Sequence, residues 1–216
     1  GYREQLTVNI PRLHMVADYR KLRQESFDKR LTTYHPYIKS RGISKEIATE
    51  LGIGYDEAKK AMVFLWKDGS DHIRNAKYRS VNDKIFWYEE DCKPVSDMIY
   101  NLSTIYKKKP KTVVIVESEI DAAYMTHLCT CVALGGSSFS DEKADLLIKA
   151  PFENLVIATD NDKIGLKMQK LIESKLKYHK NVFILPLPQK YKDVNEVTDL
   201  EELKDYLKKS KKVKTF

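Results

Sequence analysis

The stretch NLVIATDNDKIG, residues 154–165, decides how this chain is read. Its apolar run, residues 155–158, gives way to Asp160 and Asp162, with Gly165 just beyond. A short apolar run bounded by turn residues fits a strand buried on both faces, as in a parallel sheet. Two carboxylates one residue apart repel each other, so the pair asks for something positive between them.

Working outward, the same rhythm fills the C-terminal half. Apolar, largely β-branched runs fall at residues 113–116, 131–134, 155–159 and 182–185, with helical patterns between them. In the third helical pattern Ile164, Met168, Leu171, Ile172 and Leu176 recur at the spacing of a buried stripe. The second pattern opens with Ser140 as cap, Asp141 and Glu142 in its first turn, and must stop near Pro151. Strands alternating with helices of this length predict crossover units on a parallel sheet. A last helix, residues 200–209, closes that unit before the basic end KKSKKVKTF, read as a solvated tail with a phosphate contact as the alternative.

The half before residue 110 lacks this rhythm. Its charged start, through Tyr34, reads as helical. ISKEIATELGIGYDEAKKAMVFL, residues 43–65, reads as helix, glycine turn and helix, with Ser44 as cap. From Met62 to Tyr88 aromatic and β-branched residues predict a few antiparallel strands, with Trp66, Phe86 and Trp87 expected in the core and base stacking as the alternative. YKKKPK, residues 106–111, is the natural seam. The expected division is an N-terminal basic α+β unit at 1–110, an α/β unit at 111–200 and a basic C-terminal end at 201–216.

The 216 residues suffice for one large or two small cores, and 38 Lys and Arg against 31 Asp and Glu leave a net charge of +7. Such a surface suits a phosphate-rich partner, although it also serves solubility. Cys92, Cys129 and Cys131 lack zinc-knuckle spacing and read as reduced thiols of a cytoplasmic protein. No segment approaches the ~20 apolar residues of a membrane span, and no secretory signal opens the chain. The first residue is Gly1, which fits processing, a tag remnant or excision from something longer.

Acids stand at three strand ends: Glu117, Glu119 and Asp121 after the first, Asp160 and Asp162 after the third, and Asp193 with Asn195 and Glu196 after the fourth. Ligands of open parallel sheets gather at those ends, usually on a glycine-rich phosphate loop. This chain has neither GxGxxG nor GxxxxGK[ST]. Converging hard oxygen ligands suit Mg²⁺ or Mn²⁺ with positions left for phosphate. The competing reading is that each acid caps a helix.

This constellation resembles a Toprim domain, the catalytic unit of bacterial-type primases, topoisomerases, OLD-family nucleases and RecR proteins. That pattern places a Glu after the first strand, a DxD after the third and a further acid after the fourth, here Glu117, Asp160 with Asp162, and Asp193. Asp121 matches the second acid of the primase-type EGxxD motif, with Ser118 where a Gly usually stands. Upstream, MIYNLSTIYKKKPKTVVIVESEIDAAYM, YIKSRGISKEIATELGIGYD and IRNAKYRS are similar to segments of DnaG-type primases. The resemblance implies a Toprim-type parallel sheet flanked by helices, preceded by a smaller mixed α+β subdomain.

It also implies template-directed nucleotidyl transfer, in which a 3′-hydroxyl attacks the α-phosphate of an incoming NTP and pyrophosphate leaves. Glu117, Asp121, Asp160 and Asp162 would form the catalytic set, and Glu117, Asp160, Asp162 and Asp193 the ligands of Mg²⁺ or Mn²⁺. Arg74, Lys77 and Arg79, with Lys39 and Arg41 as weaker candidates, would hold nucleotide or template phosphates. The implied partners are single-stranded DNA, NTPs and a replicative helicase, with no membrane. Primases of this type carry an N-terminal zinc ribbon, for which this chain has no Cys/His set. It therefore reads as the core of a larger protein or as a reduced primase of phage or plasmid origin. The alternatives are an OLD-like Toprim nuclease, a non-catalytic RecR-like DNA-binding protein and, for residues 44–62, a helix-turn-helix. A topoisomerase would need a tyrosine nucleophile on a separate domain.

Overall fold

A computed structural model describes residues 18–32 and 34–215. The N-terminal part of the charged start lies outside the described residues. Within them, helix is confined to α1 (Gln24–Asp28), and the chain then enters a short strand, β1 (Leu31–Thr32). Two more short helices follow, α2 (Pro36–Ser40) and α3 (Lys45–Glu50). Ser44 caps α3 as expected, its hydroxyl accepting from the Ile47 amide at 3.2 Å.

The second helix expected in residues 43–65 does not form. Gly52, at φ +68°, ends α3 in the left-handed conformation that glycine adopts without strain. The chain continues as a hairpin, β2 (Ile53–Asp56) and β3 (Ala61–Lys67), in antiparallel register Ile53 to Phe64. Residues 61–66 are buried on both faces, and a run of that kind gives no periodicity to separate strand from helix. The helix-turn-helix alternative falls with that helix. Antiparallel pairing continues through β4 (Ile73–Ser80) and β5 (Phe86–Tyr88), completing a five-stranded sheet in the order β1-β2-β3-β4-β5.

After α4 (Leu102–Lys108) the expected alternation appears. The elements are β6 (Thr112–Val116), α5 (Glu119–Met125), β7 (Cys131–Ala133), α6 (Asp141–Lys149), β8 (Asn154–Ile157), α7 (Lys163–Leu176), β9 (Asn181–Ile184) and α8 (Leu200–Lys208). β9, β8, β6 and β7 are neighbours in that order and all parallel. Part of the basic end is not a free tail: β10 (Lys211–Lys212) pairs antiparallel with β9 and forms the sheet edge. Two exposed lysines there fit an edge strand, where charge discourages further pairing.

Strand alternation explains how the sheets are held together. Val114 and Val116 share a buried cluster with Met62, Phe64 and Trp66, so this side of the parallel sheet packs on the antiparallel one. Val113 and Ile115 point the other way, into a core with Leu147, Met168, Ile172 and Leu176. Each such fully buried aliphatic side chain contributes about 1.5–3 kcal/mol. The result is a mixed α/β architecture in which the C-terminal ends of β6 and β8 open beside the antiparallel sheet. Among the described residues no helix is long and apolar enough to cross a membrane.

Candidate metal centre and nucleotide cleft

Three strand ends supply the acids, and local geometry decides where each carboxylate goes. Ser118 caps α5, accepting from the Asp121 amide at 3.1 Å, so the first turn of that helix carries Asp121 inward. Asp121, Asp160 and Asp193 each offer a carboxylate oxygen within 4.8 Å of the other two. Glu117 joins them: its Oε2 accepts from the Asp160 amide at 3.2 Å. Asp162 turns away from its neighbour to cap α7, accepting from the Gly165 amide at 2.6 Å. Asp193 also caps a turn, accepting from the Glu196 amide at 3.1 Å, which leaves its second oxygen available. The capping and clustering readings are therefore both realised, sometimes in one side chain.

Gly165 is required by close approach. A Cβ there would lie 1.9 Å from the Asp160 carbonyl oxygen, so only glycine lets the first turn of α7 sit against that backbone.

The cluster is electrostatically expensive as it stands. Burial, with the negative charges of Asp193 and Asp160 beside it, pushes the Asp121 carboxyl up to about 8. Burial and the adjacent Asp160 carboxyl raise Glu117, and burial raises Asp160 and Asp193. Glu117 Oε1 and Asp160 Oδ1 are both buried without a hydrogen-bond partner. Acceptors stripped of water in this way cost several kcal/mol unless a donor or cation meets them. The residues thus fit a divalent ion.

The basic residues behave less uniformly than the sequence suggests. Lys77 is paired with buried Glu119 at 3.1 Å and donates to the Gly135 carbonyl at 3.0 Å. Arg74 is paired with Asp68 at 3.3 Å. Arg41 lies near Asp121 and Asp193 and is tied to their turn, because Asn195 Nδ2 donates to the Arg41 carbonyl at 2.9 Å. Arg41 and Arg79 both approach the Tyr37 ring, at 5.2 and 5.9 Å from its centroid. Among the described residues neither Arg79 nor Lys39 has a carboxylate within 4.0 Å.

A cleft of about 390 Å³ opens beside Glu117 and Asp160, lined by Lys77, Phe86, Glu117, Asp160, Asp162 and Ile164 among others. Two of these were expected in the core. Trp66 is indeed fully buried and Trp87 is half-buried against Tyr78, but Phe86 is 55% exposed. Ile164 is 56% exposed although it fits the stripe of α7, because the first turn of that helix borders the cleft instead of the sheet. Glu119 stands in ESEID between the two acids that the Toprim resemblance uses. Its pairing with Lys77 depends on the antiparallel sheet, which residues 117–121 alone do not report.

Residues 114–198 match the Toprim-like family. That stretch is similar to Toprim-like domains, and the strand order and the acids at its strand ends fit the same class. Over most of its length the chain has the fold of the DnaG-type primase catalytic core. It is similar to the zinc-binding and RNA polymerase domains of Aquifex aeolicus primase, with TM-score 0.71 and 21% identity over 82% of this chain and 56% of that one. It is similar to the DnaG catalytic core, with TM-score 0.70 and 18% identity over 88% and 76% of the two chains. The primase fragment of the bacteriophage T7 primase-helicase protein gives TM-score 0.68 and 22% identity over 88% and 78%. At these identities the likeness is one of fold. No curated protein matches the chain by sequence.

Proposed function

We propose that the chain is a DNA primase core, making short RNA primers on single-stranded DNA by metal-dependent nucleotidyl transfer. One observation carries this reading: acids from three strand ends converge, and two of their buried oxygens lack any partner. Residues 1–110 would form the template and nucleotide unit, 111–200 the Toprim unit and 201–216 its closing end.

Asp121, Asp160, Asp193 and the unpartnered oxygen of Glu117 would hold Mg²⁺ or Mn²⁺, with Asp162 fixing the turn and offering its second oxygen. The bound ion supplies charge neutralisation on the phosphates and a more acidic attacking hydroxyl. Arg41 and Arg79, gathered at Tyr37, would hold triphosphate or template phosphates by charge-assisted hydrogen bonds. Lys77 would line the same cleft with its charge shared by Glu119, and Lys39 and Arg74 would contact phosphates farther along the template. A replicative helicase is the protein partner this reading suggests.

A mixture of single-stranded DNA, NTPs and Mg²⁺ or Mn²⁺ tests it. Short RNA products support the proposal. Shortened DNA would instead mean a nuclease, and a shifted but intact strand a binding protein. Asp160→Asn should abolish primer synthesis while leaving the circular dichroism spectrum unchanged; full activity in that variant would end the metal assignment.

A further inference from the structure

The antiparallel sheet presents a second kind of surface to the acid cleft. β4 and β5 pair in the register Lys77 to Tyr88, Tyr78 to Trp87 and Arg79 to Phe86. Side chains alternate along a strand, so Lys77, Arg79, Phe86 and Tyr88 share one face, while Tyr78 and Trp87 stack on the other with ring centroids 5.6 Å apart. The face shared by Phe86 therefore combines two cations with two aromatic rings. Lys77 Nζ lies 5.0 Å from the Phe86 centroid, and the Tyr88 ring meets Phe86 edge-on at 5.9 Å. These contacts orient the Phe86 ring, yet they leave most of it in solvent.

Ile164 enters the same cleft from the parallel sheet's side. It is as exposed as Phe86, and both line the space that contains Glu117, Asp160 and Asp162. A large apolar side chain open to water is ordinary by itself. Two on facing elements, beside half-buried carboxylates with unpartnered oxygens that call for a cation, describe one occupant. It must carry anionic oxygens at one end and a flat apolar body at the other. A nucleoside triphosphate has that make-up, and the cleft lies in the size range of small-molecule sites.

On the primase reading, which it deepens, we infer that Phe86 is the stacking platform for the base of the incoming nucleoside triphosphate, with Ile164 closing the opposite side. The phosphates then lie toward the metal ligands and the cation Arg79 opposite Phe86 in the sheet register. Aromatic stacking tolerates any base, because every base has a π-face, so this contact adds affinity without fixing sequence.

The test is equilibrium binding with Mn²⁺, comparing ATP with inorganic tripolyphosphate. The wild-type protein should bind ATP on the order of tenfold more tightly than tripolyphosphate, the range expected for one stacked base. Phe86→Ala should remove that preference and leave tripolyphosphate and Mn²⁺ binding unchanged. Phe86→Trp should retain it, and its added fluorescence should be quenched by ATP but not by tripolyphosphate. If wild type and Phe86→Ala discriminate equally, or wild type does not discriminate at all, the platform is refuted while the metal site stands. If wild type binds neither Mn²⁺ nor tripolyphosphate, the primase reading and the platform both fail.

Discussion

Asp121 offers a perturbation in which stability and function should move in opposite directions. Its side chain is 5% exposed, and its folded pKa of about 8 stands above the ordinary 3.8 because of burial and the charges of Asp193 and Asp160. The metal-free folded state therefore holds this proton more tightly than the unfolded chain. Its stability must fall as pH rises through the window from about 4 to about 8, then level off. Four pH units at 1.36 kcal/mol each set a ceiling of roughly 5 kcal/mol, and relaxation and water entry reduce this to a few. Asp121→Asn keeps the shape and an oxygen that can accept from Ser118, but it cannot ionise. In EDTA at pH 8 the variant should thus be more stable than wild type by about 2–4 kcal/mol in urea denaturation, with the gap narrowing as pH falls and closing only near pH 4. Adding Mn²⁺ should raise the wild-type melting temperature and restore most of the lost stability, with a much smaller effect on the variant. A wild-type protein that is no less stable than Asp121→Asn in EDTA at pH 8 would refute the account of a strained acid cluster.

Other changes separate the remaining contributions. Gly165→Ala forces a methyl group against the Asp160 carbonyl, so it should cost about 3 kcal/mol or more in urea denaturation and weaken Mn²⁺ binding by displacing that strand end. Glu119→Gln leaves the mostly buried Lys77 without its carboxylate and should destabilise by about 1–3 kcal/mol, measured by thermal melting. Arg41→Ala removes a cation beside Asp121 and Asp193; it should tighten Mn²⁺ binding but raise the KM for NTP about tenfold, read by calorimetry and primer synthesis.

The parallel sheet was legible because its strands are short apolar runs with capped helices between them. Ser140 marks a helix start, and the four parallel strands begin or end within two residues of the expected runs. The antiparallel half was harder for a physical reason. Residues 57–60, DEAKK in part, carry good helix formers, but they serve as the turn between β2 and β3, with Lys60 at φ +49°. Local propensity yielded there to the pairing of Ile53 with Phe64 and Tyr55 with Met62. Phe86 and Ile164 were misplaced because hydrophobicity and spacing cannot tell a core from the wall of a cleft. That distinction depends on which elements end beside each other.

The two acids of NDKIG show how one local pattern can serve both structure and chemistry. Asp162 is extended, with φ −139° and ψ 179°, so its side chain can turn from Asp160 toward the α7 amides despite the short separation. One acid can then start a helix while the other enters the cluster, and the helix start fixes the backbone that carries the cluster. A carboxylate has two oxygens, and Asp193 uses one for its turn while remaining within 4.8 Å of Asp121 and Asp160. Capping is thus part of how the centre is positioned. The repulsion expected between Asp160 and Asp162 is eased by their different directions, and the strain instead accumulates among Asp121, Glu117, Asp160 and Asp193, where a divalent ion can relieve it.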